Sequence, residues 1–197
     1  MKSKFLAVLC VSVLSAAAHA DPVFSDNFDA NSVGANKVPA GWVVSDGTVD
    51  IIGPGYFDHL SGNGAYIDLD GSTSNAGVLS RQLNLIGGID YLATLMIGGS
   101  MRGDSNDVTV NFGLTSATRT YTANAALSAF DIAFTPLSDG LYTLSIANSG
   151  GDNVGAILTS VDVNSKASAV PEPATYGLVL AGLAMLGSTA RRRRPIR

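Results

Sequence analysis

Short runs in which apolar and polar residues alternate fill the middle of this chain. Four of them are residues 65–70, 108–114, 130–134 and 142–146. Period-two alternation is the pattern of a strand with one buried face and one solvent-facing face. Turn-forming clusters such as Ser45-Asp46-Gly47 separate the runs. The pattern predicts an all-β fold, a two-sheet jelly roll or β-sandwich of about eight to ten short strands.

Further segments complete the strand prediction: residues 42–44, 49–52, 79–85, 91–97 and 154–163. The run from Tyr91 to Ile97 is almost entirely apolar, which suits a central strand covered on both faces or a poorly patterned one. Before residue 174, only residues 121–129 hint at a helical period. We therefore expect one sandwich domain over residues 21–164, followed by a small-residue linker at 165–169.

The first 20 residues have the layout of a signal peptide. Lys2 and Lys4 precede an apolar core at residues 5–14, and Ala18-His19-Ala20 forms an A-x-A cleavage site before Asp21. Cleavage by signal peptidase would leave Asp21 as the first residue. It would also remove Cys10, the only cysteine, so the mature chain would have no disulfide.

The last 28 residues combine an extended motif, an apolar run and a basic block. The motif is Val170, Pro171, Glu172 and Pro173; the two prolines keep it out of a helix and display Glu172. Residues 174–190 carry no charge and predict one short C-terminal transmembrane helix of roughly 25 Å. The basic stop at residues 191–197, with Arg191, Arg192, Arg193 and Arg194, predicts that this end stays cytoplasmic.

This three-part tail, residues 170–197, resembles the PEP-CTERM sorting tail of exported proteins from Gram-negative bacteria that make extracellular polysaccharide. The resemblance implies a partner, the integral-membrane processing enzyme exosortase. It also implies passage through the inner membrane and a final location at the cell surface or in the extracellular matrix. Whether the tail is cut or retained is left open.

The sandwich segment is strongly acidic. Residues 21–170 hold fifteen aspartates against five basic residues, a net charge of −10. Nucleic-acid binding requires clustered Lys and Arg, so this composition argues against it. It is compatible with cation binding, with neutral glycans, and with a simple role in solubility.

The middle domain is also similar to the galactose-binding-like jelly rolls common in PEP-CTERM proteins. The segments that carry the similarity are residues 41–44, 47–53, 66–72 and 151–158, with Asn27-Phe28-Asp29 at the opening. The closing strand departs from the pattern, because Thr159 and Ser160 stand where acidic residues are often seen. Part of a cation site that such acids help to build is therefore in doubt.

Catalytic motifs are missing from the sequence. His59 is the one histidine of the mature chain, and there is no G-x-S-x-G elbow, no H-E-x-x-H and no nucleotide-binding glycine loop. A hydrolase that uses His59 with aspartates is conceivable, but His59 lies in a loop where a surface role is the simpler interpretation. We expect a protein that is not an enzyme.

Calcium is the one candidate cofactor. It prefers carboxylate, amide and carbonyl oxygens, and the candidate ligands are Asp68, Asp70, Asp104, Asp107, Asp152 and Asn153. Asp68 and Asp70 alternate along a strand and therefore share its face. The alternative for each residue is a turn, since Asp and Asn bend chains by bonding their own backbone.

Glycan binding requires exposed aromatic rings beside polar groups. The candidates are Trp42, Tyr56, Phe57 and Tyr66. For Trp42 a core position is the competing interpretation, and loop aromatics can be tucked under their loop. The favoured function is thus an exported, non-enzymatic surface or matrix protein. The alternatives are a calcium-assisted glycan-binding module of the polysaccharide matrix and an exported Asp/His hydrolase.

Overall fold

The computed structural model describes residues 21–166 and 177–183. The first range contains eleven β-strands: β1 (Pro22–Asp26), β2 (Val43–Ser45), β3 (Asp50–Ile52), β4 (Tyr66–Asp68), β5 (Val78–Leu85), β6 (Asp90–Gly98), β7 (Asn106–Phe112), β8 (Thr115–Tyr121), β9 (Ser128–Phe134), β10 (Gly140–Ser149) and β11 (Ile157–Lys166). The predicted all-β class is confirmed.

The strands form two antiparallel sheets. One has six strands in the order β3-β4-β11-β6-β9, with β1 paired to β11 beside β4. The other has five strands in the order β2-β5-β10-β7-β8. The two sheets pack face to face, which is the sandwich predicted from the alternation.

The core lies between the inner faces of the two sheets, and the alternating runs supply it. Val108, Val110 and Phe112 of β7 are fully buried, as are Leu144 and Ile146 of β10. The residues between them face outward and are partly or fully accessible. Burial of this apolar surface, at about 25 cal/mol per Å², is the main force that holds the sheets together.

The structure resolves the two interpretations of the apolar run at residues 91–97. This run is β6, a central strand between β11 and β9. Its odd-numbered residues are buried in the core, whereas Leu92, Thr94 and Met96 are half-buried on the outer face. The strand is therefore covered mainly on one side.

Three expectations about elements were wrong. The sequence patterns missed β1 and β8, and they suggested a helix over residues 121–129. The structure instead ends β8 at Tyr121 and begins β9 at Ser128. The edge strand β8 is mostly polar on both faces, so only its pairing with β7 marks it as a strand.

The C-terminal boundary of the sandwich also needs correction. Strand β11 continues to Lys166, where it pairs with Asp90 of β6, so Ser165 and Lys166 belong to the sheet and not to a linker. Residues 167–169 lie outside the described residues, as do the predicted signal peptide, the motif at 170–173 and the basic stop.

Part of the predicted transmembrane helix is described. Residues 177–183 are helical, and the rest of 174–190 lies outside the described residues. Within the ranges that the structure describes, no helix combines the length and the apolar character needed to cross a bilayer. The transmembrane helix stays a prediction.

A tight turn between β7 and β8 offers a test of the packing. Gly113 has φ +57°, and a Cβ placed there would overlap the Phe134 ring in the core. Gly88 has a similar positive φ, +76°, but a Cβ there would meet open space. We expect Gly113→Ala to lower the free energy of unfolding by about 2–4 kcal/mol, through backbone strain and overpacking together.

Gly88→Ala is the matched control, with a loss of about 1 kcal/mol from backbone strain alone. Urea denaturation of both variants provides the measurement. Equal losses in the two variants would contradict the proposed contact between the β7–β8 turn and Phe134.

Candidate functional site

A loop folds over one corner of the outer face of the six-stranded sheet. Residues 53–65 connect β3 to β4, and beneath them Ile52, Tyr66 and Ile157 form a small apolar cluster separate from the main core. Tyr56 and Leu60 of the loop pack against that cluster. The face of β4 that alternation assigned to polar, accessible residues is therefore covered.

Two aspartates face each other on this covered corner. Asp50 of β3 and Asp68 of β4 are direct partners in the antiparallel ladder, and both are buried. Two carboxylates at such a position repel each other unless positive charge or donors neutralise them. The structure supplies both.

Arg102 provides the positive charge. It lies between β6 and β7, and its guanidinium forms an ion pair with Asp68. Its second nitrogen donates to the backbone carbonyl of Asn153 at 2.8 Å. The arginine therefore joins β4 to the loop before β11. Sequence reasoning missed Arg102, because no local pattern relates it to an acid 34 positions earlier.

Backbone amides complete the environment of Asp68. Its Oδ1 accepts bonds from Gly155 at 2.9 Å and from Asp70 at 3.2 Å. A side chain at position 155 would collide with Asp68 and Asp70, so only glycine fits there. Burial raises the pKa of Asp68 to about 7, although Arg102 and the two amides act to lower it.

Donors from two loops satisfy Asp50. Its Oδ1 accepts from the amides of Asn36 at 2.7 Å and Ser72 at 3.0 Å, and its Oδ2 accepts from the Ser72 hydroxyl at 2.5 Å. Asp50 thus fixes the loop before β2 and the loop after β4. The Asp50–Asp68 pair therefore links β3 and β4 to the neighbouring loops at this corner.

Asp70 occupies a second buried polar position. Its Oδ2 accepts from the amide of Asp152 at 3.3 Å, and burial raises its pKa. Its Oδ1 has no partner among the described residues. Nearby, Asn148 donates to Asn106 at 2.9 Å and accepts from Ala156 at 3.3 Å.

Of the other calcium candidates, Asp152 and Asn153 lie in the loop that bonds to Asp70 and Arg102, whereas Asp107 lies elsewhere. Asp107 accepts from Thr120 on the outer face of the five-stranded sheet, and the side chain of Asp152 accepts from Val154 in a turn. Asp104 contributes its backbone carbonyl to Ser100, and Asn153 contributes its carbonyl to Arg102. In residues 21–166 and 177–183, no group of three or more His, Cys, Asp or Glu side chains could hold a metal ion.

Two of the four glycan candidates are buried. Trp42 lies in the core between Phe24 and Phe28, and its Nε1 donates to Asp26 at 2.8 Å. The Tyr66 ring is fully buried, and its hydroxyl donates to Asp58 at 3.0 Å. Neither ring can stack on a sugar in this structure, which corrects the expectation that Tyr66 faces solvent.

The other two candidates form an accessible aromatic pair. Phe57 is 66% exposed, and its ring meets Tyr56 edge to face with centroids 4.9 Å apart. Phe57 has φ +47°, a conformation that bulky residues rarely adopt. The Tyr66 hydroxyl, which accepts from the amides of His59 at 2.6 Å and Leu60 at 2.9 Å, holds the loop in this shape.

His59 follows this pair. Its ring Nε2 is buried and has no hydrogen-bond partner among the described residues. Burial lowers the pKa of His59, and the charge of Arg102 lowers it further. In the part of the chain that the structure describes, no aspartate accepts a bond from the His59 ring, so no Asp–His pair is formed there.

A shallow groove lies beside β2, β5 and β10. It has a volume of about 520 Å³ and is lined by Gly41, Val43, Ser80, Arg81, Gln82 and Thr143. Arg81 forms one wall; it donates to the Gly41 carbonyl at 2.9 Å and covers the Phe24 ring. The polar outward positions of β5 and β10 were the only sequence signal for it.

The buried Asp68 predicts a pH effect on stability. Its pKa is about 7 in the folded chain against 3.8 when unfolded. Between these values the unfolded chain releases a proton that the folded chain keeps. The contribution of Asp68 to the free energy of unfolding is therefore fully present below pH 3.8 and is lost as the pH rises towards 7. The upper limit of this loss is about 4 kcal/mol.

Asp68→Asn should remove this part of the pH dependence. Measured between pH 4 and pH 8, the native chain should therefore lose free energy of unfolding relative to the variant as the pH rises, because the neutral amide of the variant does not titrate. Asp46→Asn, a change in an exposed loop, is expected to keep the native profile. Parallel profiles for the native chain and Asp68→Asn would refute the assignment.

Comparison with known proteins identifies the tail. Residues 169–194 match the family model of the PEP-CTERM protein-sorting motif. This motif implies export and sorting to the cell surface by exosortase. No curated protein matches the chain.

Solved structures match the sandwich. The CBM22-1–CBM22-2 tandem domain of Xyn10C from Paenibacillus barcinonensis is 13% identical with a TM-score of 0.50, covering 81% of this chain and 49% of that one. The CBM22-1–GH10 modules of Clostridium thermocellum xylanase 10B are 16% identical with a TM-score of 0.49, covering 77% and 30%. The chain thus spans under a third of that xylanase. At these identities the likeness shows the fold alone, a jelly roll of the kind found in carbohydrate-binding modules.

Proposed function

We propose that this chain, which carries a PEP-CTERM sorting motif, is an exported, non-enzymatic protein of the cell surface or the exopolysaccharide matrix. The motif at residues 169–194 carries this proposal. Signal peptidase acts at Ala18-His19-Ala20, and exosortase recognises the tail in the inner membrane. The sandwich is the delivered part.

The chemistry of the tail supports this route. Pro171 and Pro173 keep Glu172 in an extended segment outside the apolar run. Four arginines after that run resist transfer across the bilayer, so the chain stops with the Pro-Glu-Pro segment on the outer side. An extended, accessible segment next to the bilayer is what a membrane-embedded processing enzyme can bind.

The surroundings of His59 favour a non-enzymatic role. A general base needs a group that orients it and an accessible nitrogen. Among the described residues, Nε2 of His59 is buried without a hydrogen-bond partner, and the nearby Tyr66 hydroxyl is engaged with the loop backbone and Asp58. Asp68, the buried acid of the same corner, is paired with Arg102. These groups are bonded in ways that hold the loop in place.

A second candidate function is glycan binding at the Tyr56–Phe57 pair. Pyranose rings stack on exposed aromatic rings, and Phe57 presents such a ring at a backbone conformation that the loop holds in place. The CBM22 fold likeness agrees with this candidate. Exposed Asp58 lies beside the pair and offers an acceptor for sugar hydroxyls.

Calcium need not assist this binding. Arg102 already neutralises Asp68, and Asp50 is fully hydrogen bonded. We therefore expect a chelator to leave glycan binding unchanged. Loss of binding in chelator would favour a calcium-assisted module instead.

The sorting proposal predicts retention when the motif is removed. Replacing Pro171, Glu172 and Pro173 with alanine lets the apolar helix extend backwards and removes the displayed carboxylate. We expect the variant to accumulate in the inner membrane, as measured by fractionation and immunoblotting. Glu172→Asp, which keeps both prolines and the charge, is the matched control. Unchanged release of the triple variant would refute the proposal.

The glycan proposal predicts a loss of affinity when the exposed ring is removed. Phe57→Asn deletes the ring and tolerates positive φ. Affinity for the polysaccharide of the producing cell, measured by affinity electrophoresis, should fall about tenfold or more, equivalent to about 1.4 kcal/mol. Leu114→Asn, at another exposed apolar position, should retain affinity. Equal retardation of both variants would exclude this pair as the site.

A further inference from the structure

The exposed leucine and isoleucine side chains of the sandwich are gathered at one end. Within residues 21–166, those that the structure exposes are Ile86, Leu114, Leu137 and Leu141, with exposures from 59% to 95%. Single apolar residues on a surface are ordinary, but a group of large ones marks an interaction surface. We call these four residues the apolar end.

Strand register places the four residues together. Leu141, at the start of β10, pairs with Asn84 of β5. Asn84 lies close to the end of β5, just before the loop that holds Ile86. The loop of Ile86 is hydrogen-bonded to the loop of Leu137. The Gly88 amide donates to the Pro136 carbonyl at 2.7 Å, and the Gly87 amide donates to the Asp139 carboxylate at 2.9 Å. Leu114 occupies the β7–β8 turn.

The β7–β8 turn, which carries Leu114, is hydrogen-bonded to β10 at the same end. Gly113 donates to the Thr143 carbonyl at 3.0 Å, two residues after Leu141. The loop of Ile86 is fixed as well, because its amide donates to the Tyr91 hydroxyl at 2.9 Å. Three of the four apolar side chains are thus presented by loops that the sandwich holds in position, and Leu141 is presented by the start of β10.

Both chain connections leave the sandwich at this end. Lys166, the last residue of β11, pairs with Asp90, which directly follows the loop of Ile86. Ser165 donates to the Asp21 carbonyl at 2.9 Å, so the first residue of the domain is there too. The route to the tail therefore starts beside the apolar end.

Chain length limits how far this end can be from a bilayer. From Lys166 to Ala174, where the predicted transmembrane helix begins, the chain has eight residue steps, which span at most roughly 29 Å when fully extended. This limit is comparable to the width of a domain of this size, roughly 30 Å. A tether of this length allows the apolar end to reach the membrane while the tail is anchored.

We propose that the apolar end rests on the outer surface of the inner membrane while the tail is anchored, with its leucines inserted among the lipid headgroups. This proposal rests on the anchored tail of the proposed function. The partner is a lipid surface of low charge, because the exposed acids Asp21, Asp90 and Asp139 outnumber Lys166 at this end. Insertion is driven by apolar burial and not by attraction to anionic lipid.

A single fluorescent label tests the contact. The mature chain, from Asp21 onward, has no native thiol, so Leu137→Cys carries a unique polarity-sensitive dye. Ser74→Cys, in an exposed loop at the opposite end, is the matched control. Each labelled chain is incorporated into phosphatidylethanolamine/phosphatidylcholine nanodiscs, with and without brominated lipid.

We expect the label at position 137 to shift to the blue and to be quenched several-fold by brominated lipid, while the label at position 74 changes little. Adding Leu114→Ser and Leu141→Ser to the Leu137→Cys chain should reduce the quenching. Equal, weak quenching at both positions in chains that co-purify with nanodiscs would overturn the proposal alone. Failure to co-purify would overturn the anchored tail as well. Shielding of position 137 without lipid quenching would mean that a second copy covers this end.

Discussion

The pairing of β11 with three other strands is the constraint on which the rest of the sandwich depends. It lies between β6 on one side and β4 and β1 on the other. Ser25 of β1 donates to Asp162 of β11, 137 residues later. Such distant pairing costs loop-closure entropy before it gains contacts. The six-stranded sheet can therefore be completed only when residues up to Lys166 are available to pair.

The same strand explains why buried charge is tolerated at one corner. Gly155, just before β11, donates its amide to the Asp68 carboxylate, and Ile157 of β11 is the ladder partner of Asp68. Arg102 supplies the charge that a cation would otherwise provide. Removing one partner of such a pair leaves an uncompensated charge, which is costly. The corner therefore ties β4, the loop of Arg102 and β11 to one another.

Alternation was enough to predict the inner faces of β7 and β10, because each strand has one apolar face and one polar face. It was not enough for β4. The alternation predicts that Tyr66 faces solvent, but the loop at 53–65 covers that face. The residue pattern of a strand does not show whether a loop covers its polar face. The contact between Asp68 and Arg102 depends on the register of β3, β4 and β11 together. Local sequence contains no such information, and for the same reason it presents Asp68 and Asp70 as candidate cation ligands.

The basic residues of the sandwich narrow the kind of partner it can bind. Arg81 binds the Gly41 carbonyl and covers Phe24, Arg102 pairs with Asp68, and Arg119 binds the Ala129 carbonyl over a phenylalanine ring. All three arginines are thus engaged in holding the fold, while most of the fifteen aspartates are exposed or half-buried. An acidic polysaccharide or an anionic lipid would meet this surplus of negative charge and be repelled. Neutral sugar rings at Phe57 and uncharged lipid at the apolar end need no positive surface, so they fit the charge that the fold leaves exposed.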